Sequence, residues 1–290
     1  MKIPRRRMLI RTAQAAAALA LAAPSAVLSA ERVKRRLRIG ACEWSLGRDD
    51  PTCFDLARQI GLEGVQLSMG SLANHLWLRR PEVQRAYRSA AKRANLAISG
   101  LALAELNNIP LKNDPRAAVW LIDSIDVAVA LGVKVILVAQ FFHGDLKDDP
   151  AGIDRTVQVL QDVAPRAEKA GVILGLENYL SAEENLHILH RVGSPAVLVY
   201  YDVGNSTDKG YNIYDEIRLL KGKICEFHFK DDGFMLGQGR INFKLVHDAM
   251  NDIGFSGWVQ IEAAAPLDLV KDYQADLAYL RRIFSYSSAS

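Results

Sequence analysis

Apolar residues fall along this chain in short, nearly continuous runs, and each run is followed by a longer segment in which they recur at helical spacing. The runs cover residues 37–42, 64–69, 97–103, 133–138, 172–178, 197–202, 224–231 and 258–262. The helical spacing predicts helices over 52–60, 81–95, 115–131, 150–170, 182–191, 213–220, 243–253 and 269–284. Pro81, Pro115 and Pro150 open three of these helices, at positions where the missing N–H is not needed. Gly61, Gly132, Gly171, Gly193 and Gly254 stand where helices should stop. Ser181 with Glu184 forms a capping-box pattern, and Asn212 is expected to cap the helix that follows it. Strict strand-then-helix alternation implies parallel strands joined by right-handed crossovers. Eight such units imply a closed (β/α)8 barrel. An open doubly wound sheet is the rival, but the first strand leads into no GxGxxG.

Length agrees with this. A chain of 290 residues suits one barrel, which takes ~250 residues, better than two separate domains. At 50% hydrophobic and 24% charged it is ordinary for a globular protein. The formal charge of +3 misleads, because residues 1–30 hold Lys2, Arg5, Arg6, Arg7 and Arg11 and no acid. Without them the body carries 31 bases and 33 acids, which argues against a nucleic-acid partner.

That basic start, an alanine-rich stretch over 13–23 and the small residues Leu28-Ser29-Ala30 read as an export signal over 1–30. Arg6-Arg7-Met8-Leu9-Ile10-Arg11 resembles a twin-arginine signal, with an ordinary secretory signal or an uncleaved anchor as alternatives. The expectation is a periplasmic protein exported by the twin-arginine machinery, with one barrel domain over 31–290 and no stable membrane insertion. Cys42, Cys53 and Cys225 have no metal-site or disulfide spacing and read as small buried hydrophobes.

The chemistry gathers in the second half. Glu177, Asp202, His228 and Glu262 each stand at or near the C-terminal end of one of the last four strands, the end at which barrels place active sites. Alternation puts Glu226 and Lys230 on the face of His228, Tyr200 on that of Asp202, and Gln260 on that of Glu262. Three carboxylates and one imidazole suit one divalent metal ion, Mn2+ or Mg2+ first, with Co2+, Fe2+ or Zn2+ possible. Taken singly, each residue could as well be a solvated loop acid or a satisfied core histidine. Four at equivalent positions point to one metal centre. Glu43, Trp44, His75 and His143 follow earlier strands and, with Asn205, are candidates for contacting substrate. Glu105, Asn107, Asn108 and Gln140 are weaker ones.

The segments Leu176-Glu177-Asn178, Tyr201-Asp202-Val203-Gly204-Asn205, His228-Phe229-Lys230-Asp231, Leu236-Gly237-Gln238-Gly239-Arg240 and Gln260-Ile261-Glu262 resemble the xylose isomerase-like TIM barrel superfamily of sugar isomerases, epimerases, dehydratases and apurinic-site endonucleases. The resemblance is specific in the second half and holds only in pattern in the first. It implies that the quartet holds one divalent metal and that Glu177 and Glu262 are an acid/base pair flanking a sugar, with Lys230 assisting through a substrate oxygen or the developing charge. It also implies a carbohydrate substrate and leaves a homo-oligomer open. Epimerases of this kind often have a histidine where this chain has Asn205, and six histidines are too few for the endonuclease branch. The expected function is a metal-dependent isomerase or epimerase of a sugar or keto-sugar, working through an enediolate. A metal-dependent lyase acting on a keto-glycoside and a non-catalytic sugar-binding protein are the alternatives.

Overall fold

The computed structural model describes residues 37–284. The leader expected over 1–30 lies outside the described residues. Strands β1 (Arg38–Cys42), β2 (Gly64–Ser68), β3 (Ala97–Leu103), β4 (Val135–Gln140), β5 (Ile173–Asn178), β6 (Val197–Asp202), β7 (Ile224–Phe229) and β8 (Trp258–Ile261) form a closed parallel barrel in sequence order. β1 pairs with β8, with Ala41 opposite Ile261.

Around the barrel lie α1 (Cys53–Ile60), α2 (Pro81–Ala94), α3 (Pro115–Leu131), α4 (Pro150–Ala170), α5 (Ala182–Val192), α6 (Val203–Asp208), α7 (Ile213–Leu220), α8 (Phe243–Asp252) and α9 (Leu269–Ile283). α1, α3, α4 and α5 stop at glycines in the left-handed region, whose backbone N–H groups cap the last turn. Ser181 and Glu184 make the expected reciprocal cap of α5. Asn212 stands at the N-cap of α7 as expected, but its side chain makes no capping bond and its amide donates instead to Asp215 at 2.6 Å.

Two further expectations are corrected. The fourth strand runs two residues later than the apolar pattern suggested, because Val133 is still buried but precedes the ladder. The short helix α6 was not foreseen: Asp202 ends β6 and its carboxylate immediately caps the next turn.

Side chains alternate between two environments along the strands. Ile136, Val138, Leu174 and Leu176 join the main apolar layer packed between barrel and helices. Val135, Leu137 and Ala139 face the other way and pack with Tyr200 and Phe141 inside the barrel. The rest of the interior is polar: Gln66, Ser99, Glu226, His228 and Gln260 are all buried. A barrel of this kind is a packed core rather than a pore, so each of these groups needs a partner within it. Among the described residues no helix is long and apolar enough to cross a membrane.

Candidate metal centre and sugar site

Register delivers the quartet to one place. Asp202 on β6 sits directly opposite His228 on β7, and the ladder continues from His228 to Gln260 on β8. Glu262 follows immediately, its backbone N–H still bonded to Phe229. His228 Nδ1 is 2.8 Å from Glu177 Oε1, 3.7 Å from Glu262 Oε2 and 3.9 Å from Asp202 Oδ2. Glu177, Asp202 and His228 each offer a ligand atom within 4.8 Å of the others. The fourth residue, Glu262, comes within 3.7 Å of the same imidazole nitrogen, and Lys230 and Trp44 hold its two oxygens.

The opposite side of the imidazole is set by residues the sequence reading had not singled out. His228 Nε2 lies 2.8 Å from Gln66 Oε1 and 3.4 Å from Cys42 Sγ. The Cys42 thiol donates to the same Gln66 oxygen at 3.3 Å. An amide oxygen can only accept, so Nε2 carries a proton and Nδ1 is the nitrogen aimed at the carboxylates. This is the arrangement of a metal-binding histidine whose other nitrogen is fixed by a neighbouring acceptor. The signal for Gln66 was available: it is the one polar side chain between the apolar Val65 and Leu67 of a strand. Cys42 is buried, as expected of a small hydrophobe, but it also touches the site. Tyr200 and Trp44 close over the ring edge-on, with centroids 4.6 and 6.0 Å away.

Lys230 supplies the balancing charge. Its Nζ is 2.8 Å from Asp202 Oδ2 and 3.0 Å from Glu262 Oε2. It reaches there because residue 204 is glycine: a Cβ at Gly204 would lie 2.3 Å from Lys230 Cγ. Burial works against the Lys230 ammonium, but Asp202 and Glu262 outweigh it and raise its pKa further. Burial raises Glu177 despite its contact with His228. In Glu262 the same burial is overcome by His228 and Lys230, which hold it below the usual carboxylate range. Burial also opposes the imidazolium, yet Cys42, Glu177 and Glu262 lift His228 well above the ordinary imidazole range. The Cys42 thiol is itself pushed up to about 12 by burial, so it is neutral and the carboxylates carry that effect.

The donor set fits a divalent cation. Asp202 Oδ1 accepts from Gly204 N and Asn205 N at 2.7 and 2.9 Å, whereas its buried Oδ2 makes no hydrogen bond. That oxygen has only the ion pair with Lys230 and faces the other ligand atoms. Two buried carboxylates and a half-buried one converging on one imidazole nitrogen repel one another unless positive charge lies among them.

The remaining candidates are distributed around the mouth. Trp44 donates from Nε1 to Glu262 Oε1 at 2.7 Å and is partly exposed, so one ring face is open above the site. Glu43 is buried, accepting from Ser68 N at 2.7 Å and Tyr87 Oη at 3.1 Å. Burial pushes its carboxyl up to about 8. It lines a cleft of about 340 Å3 with Ser68, Asn74, Trp77, Glu105 and Asn108, over the tops of β1 to β3. Asn205 lies in α6, where its backbone N–H donates to Asp202. His75 and His143 occupy exposed loop positions outside the buried cluster. His187 and His190 lie in α5 and His247 in α8, as their spacing implied.

Known proteins agree with this picture. The chain is 28% identical over 174 residues to 2-epi-5-epi-valiolone 7-phosphate 2-epimerase of Actinoplanes sp.; the match takes in 60% of this chain and 64% of that protein, less than two thirds of its length. A D-psicose 3-epimerase solved in the presence of D-fructose superposes with a TM-score of 0.74 at 14% identity, covering 86% of this chain and all of that one. The 3-keto-D-glucoside 4-epimerase of E. coli gives 0.72 at 13% identity, over 85% of this chain and all of that one. At such identities the structures share the fold. The family model described as xylose isomerase-like TIM barrel matches residues 54–283, the whole span from α1 to α9, and the chain belongs to that family.

Proposed function

We propose that this protein is a divalent-metal-dependent epimerase or isomerase of a sugar or keto-sugar. The observation that carries the reading is the convergence of Glu177 and Glu262 on His228 Nδ1, at 2.8 and 3.7 Å, at the C-terminal end of the barrel strands. Epimerisation next to a carbonyl needs a base on one face of the reacting carbon and an acid on the other. Glu177, Asp202, His228 and Glu262 are the residues that would hold the metal. When bound, a divalent ion supplies Lewis-acid polarisation of a carbonyl and its neighbouring hydroxyl.

The chain's own groups do the rest. One glutamate removes the proton α to the carbonyl, which leaves an enediolate, and the other returns a proton to the opposite face or to the adjacent carbon. Glu177, raised by burial, is suited to hold a proton; Glu262, kept ionised by Lys230 and His228, is suited to take one. Trp44 fixes the Glu262 carboxylate and offers an aromatic face to a sugar ring. Lys230 offsets negative charge on Asp202 and Glu262 and lies within reach of a substrate oxygen. The epimerases named above support the reading through shared architecture.

The decisive experiment incubates Mn2+- or Mg2+-loaded protein with keto-sugars and 3-keto-glycosides in D2O. Deuterium incorporated at the carbon next to the carbonyl, with the epimer or isomer formed, supports the reading. Elimination products would assign a lyase, and tight binding without exchange a sugar-binding protein. We also propose export of the chain through its twin-arginine-like leader; an exported protein still beginning at Met1 would rule out cleavage near residue 30.

A further inference from the structure

Resting on the reading just proposed, we infer that the substrate is an uncharged sugar, a ketose or keto-glycoside without a phosphate group, because the chain's own carboxylates fill the places where this barrel would hold one. Barrels bind phosphate with backbone N–H groups in the loops after β7 and β8 and at the start of a short extra helix. Both of these loops are present here, and each already contains an anion.

The loop after β7 folds around the fully buried Asp231. Asp231 accepts from Gly237 N, Gly239 N and Ile241 N at 2.9, 2.9 and 3.0 Å. Converging backbone N–H groups of this kind make an anion nest. The carboxylate fits so closely that a Cβ at Gly239 would lie 2.4 Å from its Oδ1. In the loop after β8, Asp272 Oδ2 accepts from Leu267 N at 2.9 Å and Asp268 N at 3.1 Å. Asp268 in turn accepts from Lys271 N at the start of α9. The N–H groups that open the short helix α6, after β6, are likewise taken by Asp202.

Several loop cations at the mouth are committed in the same way. Lys112 pairs with Asp149, Lys147 with Glu184, and Arg240 with Asp208 and Asp232. Lys209 stands over the Tyr179 ring at 4.0 Å. Lys230 is held by Asp202 and Glu262. Across the mouth, the cleft over β1 to β3 adds the carboxylates of Asp49 and Glu105 to hydroxyl and amide groups from Ser68, Ser71, Asn74 and Asn108. Such a lining exchanges hydrogen bonds with sugar hydroxyls and repels a phosphate. Two curated relatives, the valiolone 7-phosphate epimerase and a probable L-ribulose-5-phosphate 3-epimerase of Mycoplasma pneumoniae, have phosphorylated substrates in their names. The inference separates this chain from them.

The test is calorimetric titration of the full, Mg2+-loaded protein with matched pairs, D-fructose against D-fructose 6-phosphate and D-psicose against D-psicose 6-phosphate, together with a 3-keto-glucoside, followed by D2O exchange on the same set. The expected result is that an unphosphorylated sugar binds more tightly than its phosphate ester by about tenfold or more, ~1.4 kcal/mol. Equal or tighter binding of the phosphate esters overturns the inference, as does failure of every unphosphorylated sugar to bind. Selective binding of the neutral sugar without exchange sinks the proposed reaction and leaves the substrate class standing. Exchange in the phosphate ester alone does the reverse.

Discussion

Two layers of carboxylate lie one above the other inside this barrel, both largely withdrawn from solvent, and they differ in what surrounds them. In the upper layer Glu177, Asp202 and Glu262 converge on an imidazole and an ammonium, and one buried oxygen, Asp202 Oδ2, has no hydrogen bond. In the lower layer Glu226 Oε2 accepts from Tyr200 Oη at 3.2 Å and from Gln260 Nε2 at 3.4 Å, and Gln260 in turn accepts from Ser99 Oγ at 3.1 Å. The upper layer is populated by charges, the lower by neutral dipoles. Burial therefore pushes Glu226 up to about 8, and it remains protonated, while Glu262 one strand away is held ionised. Burial alone does not mark a functional carboxylate; what converges on it does. The lower layer is a satisfied polar core, and the upper one holds a Glu177, Asp202 and His228 group that could bind a metal ion.

The sharpest way to break the comparison is to neutralise one acid in each layer. Glu177→Gln or Glu262→Gln should lower kcat by roughly 10²- to 10⁴-fold, the usual contribution of a general acid or base. Steady-state rates on a sugar that exchanges with D2O would check it. Full turnover in Glu262→Gln would remove the proton-transfer role of that residue.

Metal removal comes next. If the upper layer is built around a cation, a divalent ion at a hundredfold its Kd adds about 2.7 kcal/mol of stability. For a chain of this size that is a rise of about 5–10 °C in Tm on adding Mn2+ to chelator-treated protein. Asp202→Asn should abolish the rise.

Glu226 makes the third test. Its folded carboxyl holds a proton more tightly than the unfolded one, so its contribution is fully present below the unfolded value of about 4.3 and is lost as pH rises through 8. Stability should fall by up to about 1.4 kcal/mol per pH unit across that window. Urea unfolding of Glu226→Gln should show this slope flattened, with little loss at pH 8. The smallest effect is expected for Tyr200→Phe, which removes a hydroxyl donor from Glu226 and keeps the ring against His228: about 1 kcal/mol, read from the urea midpoint.

Much of this was legible in the sequence, and the reason is geometric. β5 to β8 carry the ligands on the strands themselves or one residue beyond, where period-two alternation and a common barrel end fix direction. Glu177, Asp202, His228 and Glu262 could thus be placed together from position alone. Gln66 and Cys42 could not, because their roles depend on register: Cys42 stands opposite Gln66, and only closure of the ring brings both to His228 Nε2. The cleft over β1 to β3 was less legible still. It is built from loop residues such as Asn74 and Asn108, whose directions follow turns rather than a period. Helix α6 was hidden because Asp202 serves both as strand end and as cap. Asp231 sits beside the quartet in sequence, yet nothing in the chain announced that three N–H groups from six to ten residues onward would close on it.

The bond from Trp44 to Glu262 spans 218 residues, and the contact from Cys42 to His228 spans 186. A growing polypeptide can lay down seven strands and their helices and still lack both the indole clasp and the second side of the imidazole. Contacts so distant in sequence form late and slowly. The last strand to be synthesised therefore completes this cluster, and the indole fluorescence of Trp44 during refolding should report the moment at which the ring shuts.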